Sequence, residues 1–279
     1  MWVTLALMSA LNSTPAQGGQ LEVKNVRVTY GILGQERKET TYLPGDLVVL
    51  AFDMEGLQVA PDGIVKYSTS MELIGKDPMT GKPKTHFKQD PQEMTTVNTL
   101  GGSRLPSFAL AEIGTDTAPG EYTMKVVVTD VAAKKSVPLE HKFEVKPTTF
   151  GIVRPGFTFI DMNERGRGAP QIAPPVGVPG QNLLLNFAVV GFELKGQTQN
   201  PNVTVTMEVK DENGKGVEKP FSGKVENLDD NFKKLRYIPF NFPMQLNRSG
   251  KFKITLKATD THTGKTATQT LDLKVIEVN

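Results

Sequence analysis

The stretch Gly250-Lys251-Phe252-Lys253-Ile254-Thr255-Leu256-Lys257-Ala258-Thr259-Asp260 decides the fold. Phe252, Ile254, Leu256 and Ala258 recur at every second position, with Lys251, Lys253, Thr255 and Lys257 between them. A period of two is a β-strand with one face in a core and the other in water. An earlier stretch repeats it: Gly120-Glu121-Tyr122-Thr123-Met124-Lys125-Val126-Val127-Val128-Thr129-Asp130, with Tyr122, Met124, Val126 and Val128 on the apolar side.

The repetition extends in both directions. Pro44-Gly45-Asp46-Leu47-Val48-Val49-Leu50-Ala51-Phe52 aligns with Pro179-Gly180-Gln181-Asn182-Leu183-Leu184-Leu185-Asn186-Phe187, and Gly56 and Gly191 each follow four residues after the phenylalanine. Ser70-Met71-Glu72-Leu73 matches Thr206-Met207-Glu208-Val209, and Leu105-Pro106 matches Ile238-Pro239. The order is kept throughout at a nearly constant offset, which is the mark of a tandem duplication. Pro-Gly, Asp-Gly and Asn-Gly pairs separate the apolar runs, and no amphipathic helix of ten or more residues is evident. The expected fold is therefore all-β: two tandem antiparallel immunoglobulin-like β-sandwiches with about seven strands each. The expected bounds are 20–146 and 147–279, joined at Lys146-Pro147-Thr148-Thr149, a connector too short and stiff to act as a tether.

The pattern Pro-Gly-x-Tyr-x-apolar-x-Val-x-Val-x-Asp, followed by a turn and a last strand, resembles the closing hairpin of bacterial immunoglobulin-like or fibronectin-III-like domains. The pair of units is similar to secreted bacterial proteins built of such domains in tandem. The resemblance implies a fold and no activity. It places Tyr122 as a corner tyrosine, whose counterpart Phe252 has no hydroxyl.

Residues 1–19 carry the address. The apolar run Trp2–Leu11, followed by Asn12-Ser13-Thr14-Pro15-Ala16, suits a signal peptide cleaved before Gln17, and the expected location is secreted, periplasmic or cell-envelope. No Lys or Arg precedes Trp2, so either the start is set too far downstream or the stretch is a fraying cytosolic tail. No later segment is apolar enough to span a membrane; Leu183–Phe192 is strand-sized and interrupted by Asn186.

Zero cysteines among 279 residues exclude disulfides, thiolate metal sites and cysteine nucleophiles together. His86, His141 and His262 stand far apart, with no second histidine at metal-ligand spacing. Gly264-Lys265-Thr266 ends like a P-loop, but Thr259 stands where its first glycine belongs. The run Glu226-Asn227-Leu228-Asp229-Asp230-Asn231 lacks the alternation and central glycine of a calcium loop and reads as a solvated turn. Asp130 and Asp260, repeated at one place in both units, read as Asx-turn acceptors. No catalytic residue, metal site or cofactor is expected.

Charge separates the two units. Residues 20–146 hold 15 basic and 17 acidic side chains, and residues 147–279 hold 17 and 13. Lys251, Lys253 and Lys257 share the outward face of one strand, with Lys233, Lys234 and Arg236 nearby in sequence. Two readings stay open: a patch for an acidic partner such as an envelope polysaccharide, or lysines that keep a sheet soluble. Nucleic acid is not expected, because no aromatics interleave the lysines.

The expected function is a non-enzymatic exported binding or structural module with an unknown protein or surface polysaccharide as partner. The alternative is an accessory or chaperone-like subunit that engages its partner by strand addition. Two long irregular stretches are also expected, Asp161–Pro175 after the first strand of the second unit and a mobile loop over Asp77–Gly102.

Overall fold

The computed structural model describes residues 19–77, 79–159, 170–216 and 219–277. The expected cleavage region before residue 19, Pro78 and the Arg165-Gly166-Arg167-Gly168 stretch lie outside them.

The first half contains β1 (Glu22–Thr29), β2 (Thr41–Tyr42), β3 (Leu47–Glu55), β4 (Ile64–Lys76), β5 (Pro83–Val97), β6 (Leu105–Glu112), β7 (Gly120–Asp130) and β8 (Lys135–Val145). They form two sheets, β1-β3-β6 and β2-β8-β7-β4-β5. The second half contains β9 (Gly151–Phe159), β10 (Gln171–Ala173), β11 (Val176–Gly177), β12 (Asn182–Val190), β13 (Val203–Asp211) and β14 (Phe221–Val225). After it come the short helix α1 (Asp230–Leu235), β15 (Tyr237–Gln245), β16 (Gly250–Asp260) and β17 (Thr266–Val275). Its sheets are β10-β9-β12-β15 and β11-β17-β16-β13-β14. Leaving out β10, the two halves have one topology, including the parallel contact of β2 with β8 and of β11 with β17. This is the immunoglobulin-type sandwich, written twice.

Each half buries its own core. Leu50, Phe52, Met124 and Val126 lie in the first, and Leu185, Phe187, Ile254 and Leu256 in the second. The alternation read from residues 250–260 holds: Ile254, Leu256 and Ala258 are buried, while Lys251, Lys253 and Lys257 are exposed. An Ile254→Asp substitution is therefore expected to cost several kcal/mol, roughly the price of an unpaired buried charge, and Thr255→Asp about 0.5 kcal/mol or less. Chemical denaturation of both variants checks this, and equal losses would show that the strand faces are misassigned.

The repeated small residues have repeated jobs. Gly56 (φ 70°) and Gly191 (φ 67°) take left-handed backbone conformations. A side chain there would strike the backbone of Gln20 in the first half and of Thr149 in the second. Tyr122 is buried, and its hydroxyl donates to the Ala118 carbonyl at 2.8 Å, so the corner tyrosine forms. In the second half the Arg248 guanidinium instead lies 4.9 Å from the Phe252 ring centre. Tyr122→Phe is expected to lower stability by about 1 kcal/mol, the net worth of one hydrogen bond, measured as a shift in urea midpoint at constant slope.

Asp130 and Asp260 do more than close a turn. Asp130 accepts the Ala133 N–H at 2.9 Å and, across the sandwich end, the Gln58 N–H at 2.7 Å. Asp260 accepts the His262 N–H at 3.0 Å, the Glu193 N–H at 3.1 Å and the Thr263 hydroxyl at 2.8 Å. Each aspartate ties the last hairpin to the loop after the second long strand.

Two expectations are corrected. The mobile loop over Asp77–Gly102 is replaced by β5, fifteen residues paired along the whole of β4. Its residues are exposed on both faces, so no alternation marks it, and its prolines sit where an edge strand tolerates them. Pro83 starts the strand, and Pro91 falls where the register slips between Thr69 and Met71. The irregular stretch Asp161–Pro175 is interrupted by β10, which pairs with the end of β9.

The halves meet at a built junction. Val153, Ala188 and Val190 of the second half pack with Leu43 and Tyr237. Arg154, at φ 53°, donates its backbone N–H to Asp46 Oδ1 at 3.1 Å and its Nε to the Gly45 carbonyl at 2.6 Å. Asp46 also pairs with Arg37 at 2.8 Å, both side chains being nearly buried. Burial alone would lower the Arg37 pKa, and the adjacent Asp46 carboxylate more than reverses this. By strand register, the first half carries Lys24 and Asp53 where the second has Val153 and Ala188. Asp53 is held there by Asn25 at 2.6 Å and Arg104 at 2.7 Å. Burial pushes its carboxyl upward, but these two partners outweigh it and leave the pKa below the ordinary value.

Candidate functional site

The candidate site is the outer face of the sheet β11-β17-β16-β13-β14. Antiparallel register sets its side chains in rows. Lys253 stands between Lys210 and Asp272, Thr255 between Glu208 and Thr270, and Lys257 between Thr206 and Thr268. Lys251 stands beside Lys274 at the lower end, and Thr259 lies between Thr204 and Thr266 at the upper end. Strand β14 adds Ser222 opposite Thr206 and Lys224 opposite Thr204. Lysine and threonine thus dominate this face, with Glu208, Asp272 and Ser222 set among them, and no aromatic side chain stands between the lysines.

The pairing of these lysines is uneven. Lys210 reaches Glu208 at 2.9 Å and Lys224 reaches Glu226 at 2.7 Å, while Lys251 lies 4.0 Å from Glu212. Among the described residues, Lys253, Lys257 and Lys274 have no carboxylate within ion-pair distance. The matching face of the first half is different. Lys125 meets Glu140 at 3.2 Å, Lys88 lies 3.7 Å from Glu72, and Val127 pairs with Pro138 at its centre.

A groove of about 670 Å³ opens at the lower end of the face, where Lys210, Lys251, Lys253 and Lys274 stand among Asp211, Glu212 and Asp272, with Phe252, Leu273, Pro175 and Gln35 completing its wall. Gln35 comes from the first half, and its side-chain oxygen accepts the Asp272 N–H at 2.6 Å. The loop between β1 and β2 therefore reaches the open edge of β17.

The structure brings Lys251, Lys253 and Lys257 onto one face and adds Lys274 and Lys210. Sequence order gives no hint of these two; only the strand register does. Lys233, Lys234 and Arg236 are not part of it. They belong to α1 and its end, which leads into β15 of the opposite sheet. Lys233 donates to the Thr198 carbonyl at 3.1 Å and Arg236 to the Phe192 carbonyl at 3.4 Å. The acidic run around them caps that helix, with Asp229 accepting the Asn231 N–H at 2.9 Å.

The histidines stay apart. His86 lies on β5, its ring centre 5.4 Å from that of Tyr122; His141 lies on β8, its pKa lowered by burial; and His262 contacts the Asn200 carbonyl at 3.1 Å. Among the described residues, no group of three or more His, Asp or Glu side chains is placed to hold a metal ion. No described helix is long and apolar enough to cross a membrane.

No family model matches the chain, and no curated protein does either. Among solved structures it is similar to the Pseudomonas fluorescens alkylpurine DNA glycosylase AlkC bound to DNA containing an abasic site analog, at 16% identity and TM-score 0.30, covering 47% of this chain and 31% of that one. It is similar to red sea bream transglutaminase at 9% identity and TM-score 0.27, covering 93% of this chain and 31% of that one. Trypsin-activated alpha-2-macroglobulin from Escherichia coli gives 11% identity and TM-score 0.30, covering 93% of this chain and 17% of that one. The chain thus spans less than a third of each of these proteins, and likeness at this level carries neither an activity nor a partner across.

Proposed function

We propose that the chain is a non-enzymatic, exported binding module that holds an acidic partner on the outer face of its second sandwich. One observation carries the reading. Among the described residues, Lys253, Lys257 and Lys274 lack carboxylate partners, whereas on the matching face of the first half Glu72 and Glu140 pair Lys88 and Lys125 and leave Lys142 unpaired opposite Thr123. A single exposed lysine says little, since such residues serve solubility. Several aligned on a rigid sheet sum to a field that steers an anion to one surface. Export is supported by the apolar run Trp2–Leu11 and the small residues after it.

Strand addition at β5 is the second reading, favoured by the length of that edge. Pro91 and the two register slips along β5 count against it, because an interrupted edge is a poor template for pairing.

The double charge reversal Lys253→Glu with Lys257→Glu tests the first reading. It is expected to weaken binding of soluble polyanions by about tenfold, or about 1.4 kcal/mol, and the wild-type affinity is expected to fall as salt rises. Unchanged affinity in the double variant would refute the basic face.

A further inference from the structure

We infer that the acidic partner is a polysaccharide, laid along β16 with its anionic groups on Lys251, Lys253, Lys257 and Lys274 and one segment in the groove beside Gln35. This rests on the basic-face reading above and names its ligand.

The length of the array points to a polymer. Residues 251 and 257 are six positions apart on one strand, which sets their Cα atoms about 20 Å apart. A small anion would occupy one end and leave the rest idle. The face is open, with ammonium groups every second residue or so, as a chain of repeated charges requires.

The chemistry between the lysines selects the class of polymer. Thr204, Thr206, Thr255, Thr259, Thr266, Thr268 and Thr270 fill the spaces, and Ser222 joins them at the edge. Among these hydroxyls, only that of Thr206 is committed within the chain, to the Lys257 carbonyl at 3.5 Å. A nucleic acid strand is held by aromatic faces that stack its bases, and none stands between the lysines. A protein partner needs apolar or aromatic anchors seated in dry pockets; the open face between the lysines has none, and Phe252, Leu273 and Pro175 lie only at the groove. Hydroxyls alternating with cations complement a ligand that itself alternates hydroxyls with carboxylates, which is an acidic glycan.

The groove adds a place for one sugar unit. Its lysines lie on β13, β16 and β17, while Gln35 is delivered by the first half through its bond to Asp272. Both halves thus contribute to the lower end of the site.

The test uses the full chain and four probes of matched length: polygalacturonate, neutral dextran, poly-glutamate and a single-stranded oligonucleotide. Binding is read by titration calorimetry at fixed salt, and each variant must keep the wild-type melting temperature. Polygalacturonate is expected to bind at least tenfold tighter than poly-glutamate or the oligonucleotide, and dextran not at all. Thr255→Val with Thr268→Val should lower polygalacturonate affinity several-fold and leave poly-glutamate unmoved. Lys134→Glu with Lys135→Glu, on the first half, should change nothing. Equal or tighter binding of poly-glutamate or the oligonucleotide, still lost on reversing Lys253 and Lys257, would overturn the polysaccharide and leave the basic face standing. If no polyanion depends on those lysines, both ideas fall together.

Discussion

Asp46→Ala is expected to destabilise the chain by about 3–5 kcal/mol, the usual loss when one partner of a buried ion pair is removed. The Arg37 guanidinium, which lies 3.9 Å from the Tyr42 ring centre, would stay buried with no carboxylate against it. Arg154 would lose the acceptor of its backbone N–H at the same time. One substitution thus strikes the floor of the first sandwich and its contact with the second. Arg37→Met combined with Asp46→Leu should recover most of the loss, because an apolar pair of similar volume leaves no charge stranded. Denaturant melts of the single and double variants measure this, with scattering to follow the relative placement of the halves. A double variant as unstable as Asp46→Ala would show that the Arg154 contact, and not the stranded charge, sets the cost.

The second large effect is expected at Asp260. Its carboxylate is fully buried and takes two backbone N–H groups and a hydroxyl. Asp260→Ala leaves the two backbone N–H groups without an acceptor, at about 1–3 kcal/mol for each unsatisfied group, while the exposed Thr263 hydroxyl can turn to water, so roughly 3 kcal/mol in total is expected. Asp130→Ala removes two acceptor contacts in the first half and should cost somewhat less. The two variants also test whether the halves behave as separate cooperative units. Each should lower one transition in calorimetry and leave the other in place, and a single merged shift from both would refute independent melting.

Asp130 and Asp260 also show how far the sequence could be read. Their repetition announced a structural task, and the Asx turn was evident because its partners are local. The bonds to Gln58 and Glu193 span 72 and 67 residues, and no local pattern encodes them. Strands with one wet face, such as β7 and β16, stand out through their alternation. β5 does not, since both its faces are exposed and prolines punctuate it. Arg154 is invisible for another reason. It occupies the strand position that Asn25 holds in the first half, with nearly the same left-handed φ, and its acceptor, the Gly45 carbonyl, is supplied by the neighbouring half. The candidate site divides in the same way. Lys251, Lys253 and Lys257 share a face by parity alone, whereas Lys274 and Lys210 join them only once the ladder register is known. Lys233, Lys234 and Arg236 looked adjacent because distance along the chain stood in for distance in space.

The bond between Gln35 and Asp272 links residues 237 positions apart. A ribosome releases the N-terminal half long before β17 exists, so this contact must be among the last to form during synthesis. Until then Arg37 holds one side of the loop between β1 and β2 to Asp46, while its tip at Gln35 lacks the contact with β17 and is more open to proteases. Protection of that loop is therefore a clock for completion of the whole chain, readable by timed proteolysis of nascent chains arrested at successive lengths.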